Sequence, residues 1–127
     1  ALPILRIVTP GIPDKKIVYI LTQANYEILL ESGVQIYQYT PGFIHSKSFV
    51  CDDEVATVGT INMDYRSLCL HFECGVWMYR TRAVLQVKED ALKTFAESHE
   101  VTLEEFQRKS FLVRTFMGAL KLFAPLL

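Results

Sequence analysis

Two short β-prone segments in the middle of the chain restrict its fold more than any other feature. Residues 43–51 and 55–58 are rich in apolar side chains, and the acidic triplet Asp52-Asp53-Glu54 between them has turn composition. Thr40-Pro41-Gly42 supplies a second turn just before the first segment. The sequence therefore predicts a β-hairpin that is bounded by a turn on its N-terminal side.

Helices and further strands are predicted on both sides of this hairpin. Gly33 suits the C-terminal cap of a first helix, and Thr102 with Glu105 matches a capping box at the start of the last one. Strands are expected at residues 5–9, 34–39 and 71–79, and helices at 14–31, 63–70, 84–98 and from 102 towards 125. This pattern predicts an α/β fold, with a mixed β-sheet and flanking helices.

Length and net charge limit the size of the domain and the partners that it can bind. At 127 residues with 50% hydrophobic residues, the chain is large enough for one compact domain or part of one. Its formal net charge of −1, from 13 basic and 14 acidic residues, argues against binding nucleic acid by unselective attraction to phosphates. No nucleic-acid partner is expected, and any phosphate binding should be local.

The cysteines and the chain ends carry weaker predictions. Cys51, Cys69 and Cys74 are odd in number, lie in apolar neighbourhoods and lack zinc-site spacing, so we expect buried reduced thiols in a cytoplasmic setting and no metal. The first residues contain neither an initiator methionine nor signal-peptide features, which suggests a piece of a longer protein. Arg114 and Lys121 interrupt the longest apolar stretch, which is therefore no candidate membrane span.

Residues suited to phosphate chemistry follow one another at fixed spacings in the hairpin region. His45 and Lys47 lie two apart on a predicted strand, so an imidazole and an ammonium project from the same face and can meet one phosphate. The Thr60 hydroxyl and the Asn62 amide are predicted to join Lys47 in stabilising charge on the phosphate oxygens. Gly59 is predicted to let the backbone turn tightly at this point.

Each of these residues also has an ordinary structural interpretation. A single histidine is functional in roughly one case in five, and Lys47 alone would be a solvated charge. Thr60 and Asn62 alone would be turn formers. Asp52 lies seven positions after His45, an odd step, so on an uninterrupted strand its side chain should point to the opposite face and serve the structure. The combined spacing favours a site.

Glu73 is the predicted partner of the histidine. It is a carboxylate within the apolar segment Phe72-Glu73-Cys74-Gly75-Val76, which is costly unless the charge is paired. A catalytic imidazole needs a partner on its second nitrogen, and Glu73 can provide it. The alternative, at roughly one chance in three, is a structural ion pair or an outward-facing side chain. His71 is predicted to be structural.

Residues 62–67 are predicted to open a helix, whose first amides can donate to an anion. Arg66 within this segment has two interpretations. It can add a second phosphate or headgroup contact, or it can form the commoner structural ion pair with Asp64 or another acid.

The complete spacing resembles a known signature. It reads His45, one residue, Lys47, four residues, Asp52, six residues, Gly59-Thr60, one residue, Asn62. This resembles the His-Lys-Asp signature of the phospholipase D superfamily, in which serine or glycine is also common at the place of Thr60. The flanking segments and the tail from residue 102 are similar to the C-terminal part of bacterial cardiolipin synthases, so the resemblance covers nearly the whole chain.

The resemblance implies a fold and a reaction. Residues 1–100 would be an N-terminally truncated catalytic half-domain of phospholipase D type, and residues 101–127 a helical tail. Enzymes of this family are membrane proteins with two signatures, and they move a phosphatidyl group between two phosphatidylglycerols through a phosphohistidine, without a cofactor. His45 would be the general acid and then the base, with Lys47, Thr60 and Asn62 at the phosphate, Glu73 on His45, and Asp52 and Gly59 as structural parts of the motif.

Several alternatives stay open at this point. The isolated chain is expected to be inactive unless the missing half or a second copy completes the site. It is also compatible with a homodimeric phosphodiesterase or nuclease of the same superfamily, or with a non-catalytic interaction module. The apolar tail from Phe111 onwards fits either a membrane surface or the missing half. The family implies the cytoplasmic side of a bacterial cell membrane for the parent protein. Four points stay open: whether His45 is the general acid or the nucleophile, the acceptor alcohol, the acyl preference and the oligomeric state.

Overall fold

The computed structural model describes residues 4–108 and 110–121. The chain divides into two compact units, which we call unit 1 (residues 1–44 and 97–127) and unit 2 (residues 45–96). In chain order the elements are β1 Arg6–Pro10, α1 Lys16–Ala24, α2 Tyr26–Glu31, β2 Gln35–Tyr39, β3 Lys47–Cys51, β4 Val55–Gly59, α3 Tyr65–Cys69, β5 Gly75–Tyr79, α4 Arg82–Ala96, β6 Ser98–Val101, α5 Leu103–Gln107 and α6 Phe111–Leu120. The predicted α/β fold is confirmed.

Unit 1 contains a mixed three-stranded sheet. Strand β2 lies in the centre, parallel to β1 and antiparallel to β6. Ile36 on this central strand is opposite Ile7 of β1 and Val101 of β6. Strand β6 was not predicted, because residues 84–98 were expected to be helical to the end and no strand was expected after them.

The first predicted helix, residues 14–31, is two helices in the structure. Asn25 ends α1 and precedes α2, and its Nδ2 donates to the Leu21 carbonyl at 3.2 Å. The predicted cap at Gly33 is confirmed: its φ is 84°, and its amide donates to the Leu30 carbonyl at 3.0 Å. The next amide, that of Val34, reaches the Leu29 carbonyl at 3.0 Å, so the helix ends in a Schellman motif.

The core of unit 1 draws on most of its elements. Its buried residues are Ala24, Tyr26, Ile36, Val101, Phe106 and Met117. Met117 belongs to α6, which packs against α1, so the described part of the tail contributes to the core of its own chain. Residues 122–127 of the predicted tail lie outside the described residues.

A hydrogen-bonded pair of hydroxyls lies within this core. Thr9 Oγ1 and Tyr26 Oη are 2.5 Å apart, and Gln38 Nε2 donates to the same phenol oxygen at 3.2 Å. Burial raises the pKa of Tyr26, while its hydrogen bonds to Thr9 and Gln38 act in the opposite direction. The phenol therefore stays a neutral, satisfied member of the core.

Unit 2 is an antiparallel sheet, in the order β3-β4-β5, with α4 on one face. Ala56 of β4 and Val84 of α4 are buried. The other face presents large side chains to the outside: Phe49, Trp77 and Tyr79 are 41%, 64% and 46% exposed. The buried apolar core of this unit is therefore small.

The predicted hairpin turn is confirmed, and its backbone conformation explains why aspartates occupy it. Asp52 and Asp53 have φ values of 49° and 58°, a left-handed region that aspartate tolerates better than most residues. Ion pairs hold the turn from both sides, with Lys88 Nζ at 2.5 Å from Asp53 Oδ1 and Arg80 Nη2 at 2.7 Å from Glu54 Oε1.

The starts of two strands and the burial of the cysteines were predicted wrongly. Strands β3 and β5 begin at Lys47 and Gly75, not at residues 43 and 71, because the central strand β4 ends at Gly59 and offers no partner beyond it. The cysteines are free but exposed, not buried, because they lie at the end of β3, at the end of α3 and just before β5.

The predicted start of the last helix is confirmed, because Thr102 Oγ1 accepts from the Glu105 amide at 3.2 Å. The helix is interrupted and continues as α6. Within residues 4–108 and 110–121, no helix combines the length and the apolar character that crossing a bilayer requires.

Candidate functional site

The predicted site residues of unit 2 lie around one shallow cavity of about 290 Å³. Its lining consists of His45, Lys47, Gly59, Thr60, Asn62 and Glu73. These residues come from the start of β3, the end of β4 and the segments that follow β4 and precede β5. Of the residues singled out for the signature, Asp52 alone lies away from the cavity.

His45 and Lys47 are at the open end of β3. Lys47 is the first residue of the strand, whereas His45 precedes it, so the prediction that both belong to one strand is wrong for the histidine. The two residues are nevertheless joined, since Lys47 Nζ donates to the backbone carbonyl of His45 at 2.8 Å. The ammonium is therefore held beside the backbone of the histidine, and both side chains line the cavity.

Gly59 is required for a different reason from the predicted one. It is the last residue of β4 and pairs with Gly75 of β5, so it forms no tight turn. A Cβ atom on Gly59 would lie 2.6 Å from the Gly75 Cα and would also collide with the carbonyl oxygen of Cys74. The absent side chain lets the two strands approach closely beside the cavity.

Thr60 and Glu73 are bonded to each other. Thr60 Oγ1 donates to Glu73 Oε2 at 2.5 Å and accepts from the Cys74 amide at 3.0 Å. Hydrogen bonds from Thr60 and then Ser67 lower the pKa of the Glu73 carboxyl, with a smaller electrostatic contribution from His71. Glu73 is therefore an ionised acceptor near neutral pH. Its predicted bond to His45 stays a prediction.

Asn62 is fixed by a residue that the sequence analysis did not single out. Its Nδ2 donates to Ser67 Oγ at 3.3 Å. Ser67 lies in α3 and is only 7% exposed, and its amide donates to the capping carboxylate of Asp64 at 2.7 Å. A signal was present in the spacing of Asp64 and Ser67, which is that of a helix N-cap and its N3 position.

Asp52, His71 and Arg66 have other surroundings. Asp52 is in the hairpin turn, where its carboxylate accepts from Cys51 Sγ at 3.3 Å, in keeping with the predicted structural role. Arg66 Nη2 lies 3.1 Å from His71 Nε2. The carboxylate of Asp64, the predicted partner of Arg66, caps α3.

The cavity combines groups that suit an oxyanion. An ammonium and a carboxamide provide donors, and an imidazole is the side chain that most readily gains or loses a proton near neutral pH. The one carboxylate of the lining already accepts a hydrogen bond from the Thr60 hydroxyl. The arrangement can therefore hold an anion at Lys47 and Asn62 while His45 exchanges a proton with it.

The chain is similar in sequence to known proteins of one family. The family described as "Cardiolipin synthase, PLD-like domain" matches residues 4–96. The chain is 45% identical over 123 residues to an uncharacterized protein of Streptococcus mutans. These aligned residues are 97% of this chain and 27% of that protein. It is 41% and 37% identical to proteins named cardiolipin synthase from Geobacillus kaustophilus and Halalkalibacterium halodurans, over 97% of this chain and 24% of each relative.

The chain thus spans about a quarter of the length of these relatives. No solved structure matches it. The family match extends over most of the chain, from β1 to the end of α4, and includes every residue that lines the cavity. The chain therefore belongs to the cardiolipin synthase, PLD-like domain family.

Proposed function

We propose that this chain supplies one half of the active site of a phosphatidyltransferase. The enzyme would move a phosphatidyl group from one phosphatidylglycerol to a second, which gives cardiolipin and releases glycerol. The observation that carries the proposal is the cavity in which His45, Lys47, Asn62 and Glu73 meet. Membership of the cardiolipin synthase, PLD-like domain family supports the choice of substrate.

The reaction requires two histidines on opposite sides of one phosphorus atom, and His45 is one of them. A histidine of the other half attacks phosphorus and forms a P–N bond, while the P–O bond to glycerol breaks and His45 gives its proton to the leaving oxygen. The neutral His45 then takes the proton of a hydroxyl of the second phosphatidylglycerol. That oxygen displaces the phosphohistidine, and both histidines return to their starting states.

Lys47 and Asn62 stabilise the charge that develops on the phosphate oxygens. Lys47 donates one of its three ammonium hydrogens to the His45 carbonyl, so two are left for the phosphate. Asn62 donates one amide hydrogen to Ser67, so the second is left for the phosphate. Donors held in place before the reaction stabilise a transition state without reorganisation at the moment of transfer.

Glu73 is assigned to the second nitrogen of the His45 ring, where a carboxylate fixes the tautomer and stabilises the imidazolium. The sequence suggested that Thr60 donates to the phosphate. Its hydroxyl proton is directed at Glu73 in the structure, so we assign Thr60 to holding this carboxylate. The parent protein would act at the cytoplasmic face of a bacterial cell membrane.

The test is an assay of the parent protein on phosphatidylglycerol. His45→Ala should lower cardiolipin production by about 10²- to 10⁴-fold, the usual contribution of a general acid and base. His99→Ala is the matched control, because His99 lies on β6 in unit 1 and contacts Glu105 instead of the cavity. Unchanged cardiolipin production in His45→Ala would remove this residue from the mechanism.

The isolated chain should turn over phosphodiesters only when the other half, or a second copy of the chain, completes the site. Light scattering alongside the assay distinguishes a monomer from an associated form. Robust turnover by a demonstrated monomer would contradict the half-site proposal. In the completed enzyme, the paired histidines should give a bell-shaped dependence of rate on pH.

A further inference from the structure

The face of the unit 2 sheet that α4 leaves open begins at the cavity. Directly opposed residues of an antiparallel sheet lie on the same face, so Lys47, Gly59 and Gly75 form one row across the three strands. Lys47 and Gly59 line the cavity. Lys47 carries the one side chain of this row, and the two glycines beside it leave a bare backbone surface, which we call the glycine floor. The floor joins the cavity to the rest of the open face.

The second row of this face is aromatic. Side chains alternate between the faces along a strand, so the row two residues further on contains Phe49 and Trp77, with Thr57 between them. It lies about 7 Å from the first row, because a strand advances about 3.4 Å per residue. Trp77 is 64% exposed, but its ring stacks on Tyr79 with the centroids 5.8 Å apart. The open face therefore presents an ordered apolar surface beside the glycine floor.

The glycine at position 75 is not explained by the packing of the sheet. A Cβ atom built on Gly75 would lie 3.4 Å from its nearest neighbour, the Val58 carbonyl oxygen, which is an ordinary contact. Gly59 differs, because a Cβ atom there would collide with the backbone of β5. Glycine weakens a strand, and it often marks a place where a ligand approaches the backbone closely. The floor at Gly75 is therefore a candidate path for a ligand.

The charges along this face indicate which end of a ligand lies where. At the far end of the sheet, Arg80 is paired with Glu54, and Lys88 is paired with Asp53. At the cavity end, the Lys47 ammonium keeps two hydrogens for an anion. The face thus offers an anion site, a bare floor and an aromatic surface in that order. A phospholipid carries its phosphate, glycerol backbone and acyl chains in the same order.

We propose that Phe49 and Trp77 form a subsite for the acyl-bearing part of the phospholipid whose phosphate the cavity binds. The phosphate lies at Lys47, and the lipid crosses the floor of Gly59 and Gly75 to reach the two rings. Exposed apolar surface of this kind marks interaction sites, and aromatic rings bury a large apolar area on contact. The inference rests on the proposed function for the nature of the ligand, and it adds the place where the apolar part of that ligand binds.

Trp77 is the one tryptophan of the 127 residues, so its fluorescence reports directly on this subsite. The probe is a short-chain phosphatidylglycerol with brominated acyl chains, below its micelle concentration, because bromine quenches an indole that it contacts. Titration of the 127-residue chain should quench the fluorescence to saturation. An excess of glycerophosphoglycerol, which has the phosphate but no acyl chain, should reverse the quenching because it competes for Lys47.

Three variants test the path from the cavity to the rings. Lys47→Met removes the phosphate contact and should abolish quenching. Gly75→Val keeps a strand-forming residue but fills the floor, so it should abolish quenching as well. Val76→Thr changes the opposite face of the same strand and should leave quenching unchanged. Circular dichroism shows whether each variant is folded. Absence of quenching in the unsubstituted chain, or quenching that persists in folded Lys47→Met or folded Gly75→Val, would overturn the proposal.

Kinetics of the parent protein separate an acyl subsite from a surface that the other half of the enzyme covers. Trp77→Thr should raise the KM for phosphatidylglycerol about tenfold, which corresponds to about 1.4 kcal/mol, and leave inhibition by glycerophosphoglycerol unchanged. Val76→Thr should change neither. An equal weakening of both ligands by Trp77→Thr would place the other half on this face and contradict the subsite. Cardiolipin production without quenching would contradict this inference alone, whereas quenching without cardiolipin production would contradict the proposed function alone.

Discussion

The two units bury their polar residues for different purposes. In unit 1 the hydroxyl of Thr9 bonds to Tyr26 within the core, where both partners are enclosed. In unit 2 Ser67 is as well buried, but its hydroxyl accepts from Asn62, which lines a cavity. The same chemistry therefore stabilises a core in one unit and orients a site in the other.

The two units also differ in the apolar side chains that they bury. Unit 1 encloses large side chains such as Tyr26 and Ile36 at 2% and 1% exposure, whereas the buried apolar residues of unit 2 are Ala56 and Val84. Trp77, the largest side chain of unit 2, is 64% exposed. Apolar burial is the main favourable contribution to folding, so unit 1 should owe more of its stability to its core than unit 2 does.

The largest expected effect on stability is therefore in the core of unit 1. Ile36→Ala should lower the free energy of unfolding by about 2–5 kcal/mol, because it leaves a cavity in the central strand. Trp77→Val, which removes more atoms but keeps a strand-forming residue, should cost less than about 0.5 kcal/mol. Urea unfolding followed by circular dichroism measures both. A Trp77 variant as unstable as the Ile36 variant would remove the contrast between the units.

A smaller effect tests what holds unit 2 together. Gly59→Ala should cost about 1–3 kcal/mol, because the added methyl collides with the backbone of β5, which cannot shift without disturbing the sheet. Gly42→Ala is the matched control, since nothing lies within 4 Å of a Cβ atom built there. Urea unfolding compares the two variants. Equal stability of both variants would mean that the close approach of β4 and β5 does not exclude a side chain at position 59.

The parts of the fold that the sequence predicted are those with a local cause. The hairpin turn at Asp52 and the helix cap at Gly33 depend on residues within a few positions of each other, and both are confirmed. The grouping of the signature residues around one cavity also follows from a short segment, from His45 to Asn62, with the addition of Glu73.

The features that were missed depend on distant parts of the chain. Strand β6 has a weakly β-prone sequence, Ser98-His99-Glu100-Val101, and forms because it pairs with β2 about sixty residues earlier. The ends of β3 and β5 are set by the end of β4 between them.

The smallest effect concerns the ion pair between Lys88 and the hairpin turn. Asp53→Asn keeps a residue that tolerates the left-handed backbone but removes the charge 2.5 Å from Lys88 Nζ. Both side chains are well exposed, so the loss should be about 0.2–1 kcal/mol and should shrink as salt is added. Lys88→Met alone and together with Asp53→Asn completes a double-mutant cycle under urea unfolding. A coupling above about 2 kcal/mol that is insensitive to salt would mean that exposed charges, and not the packing of α4 on the sheet, hold unit 2 together.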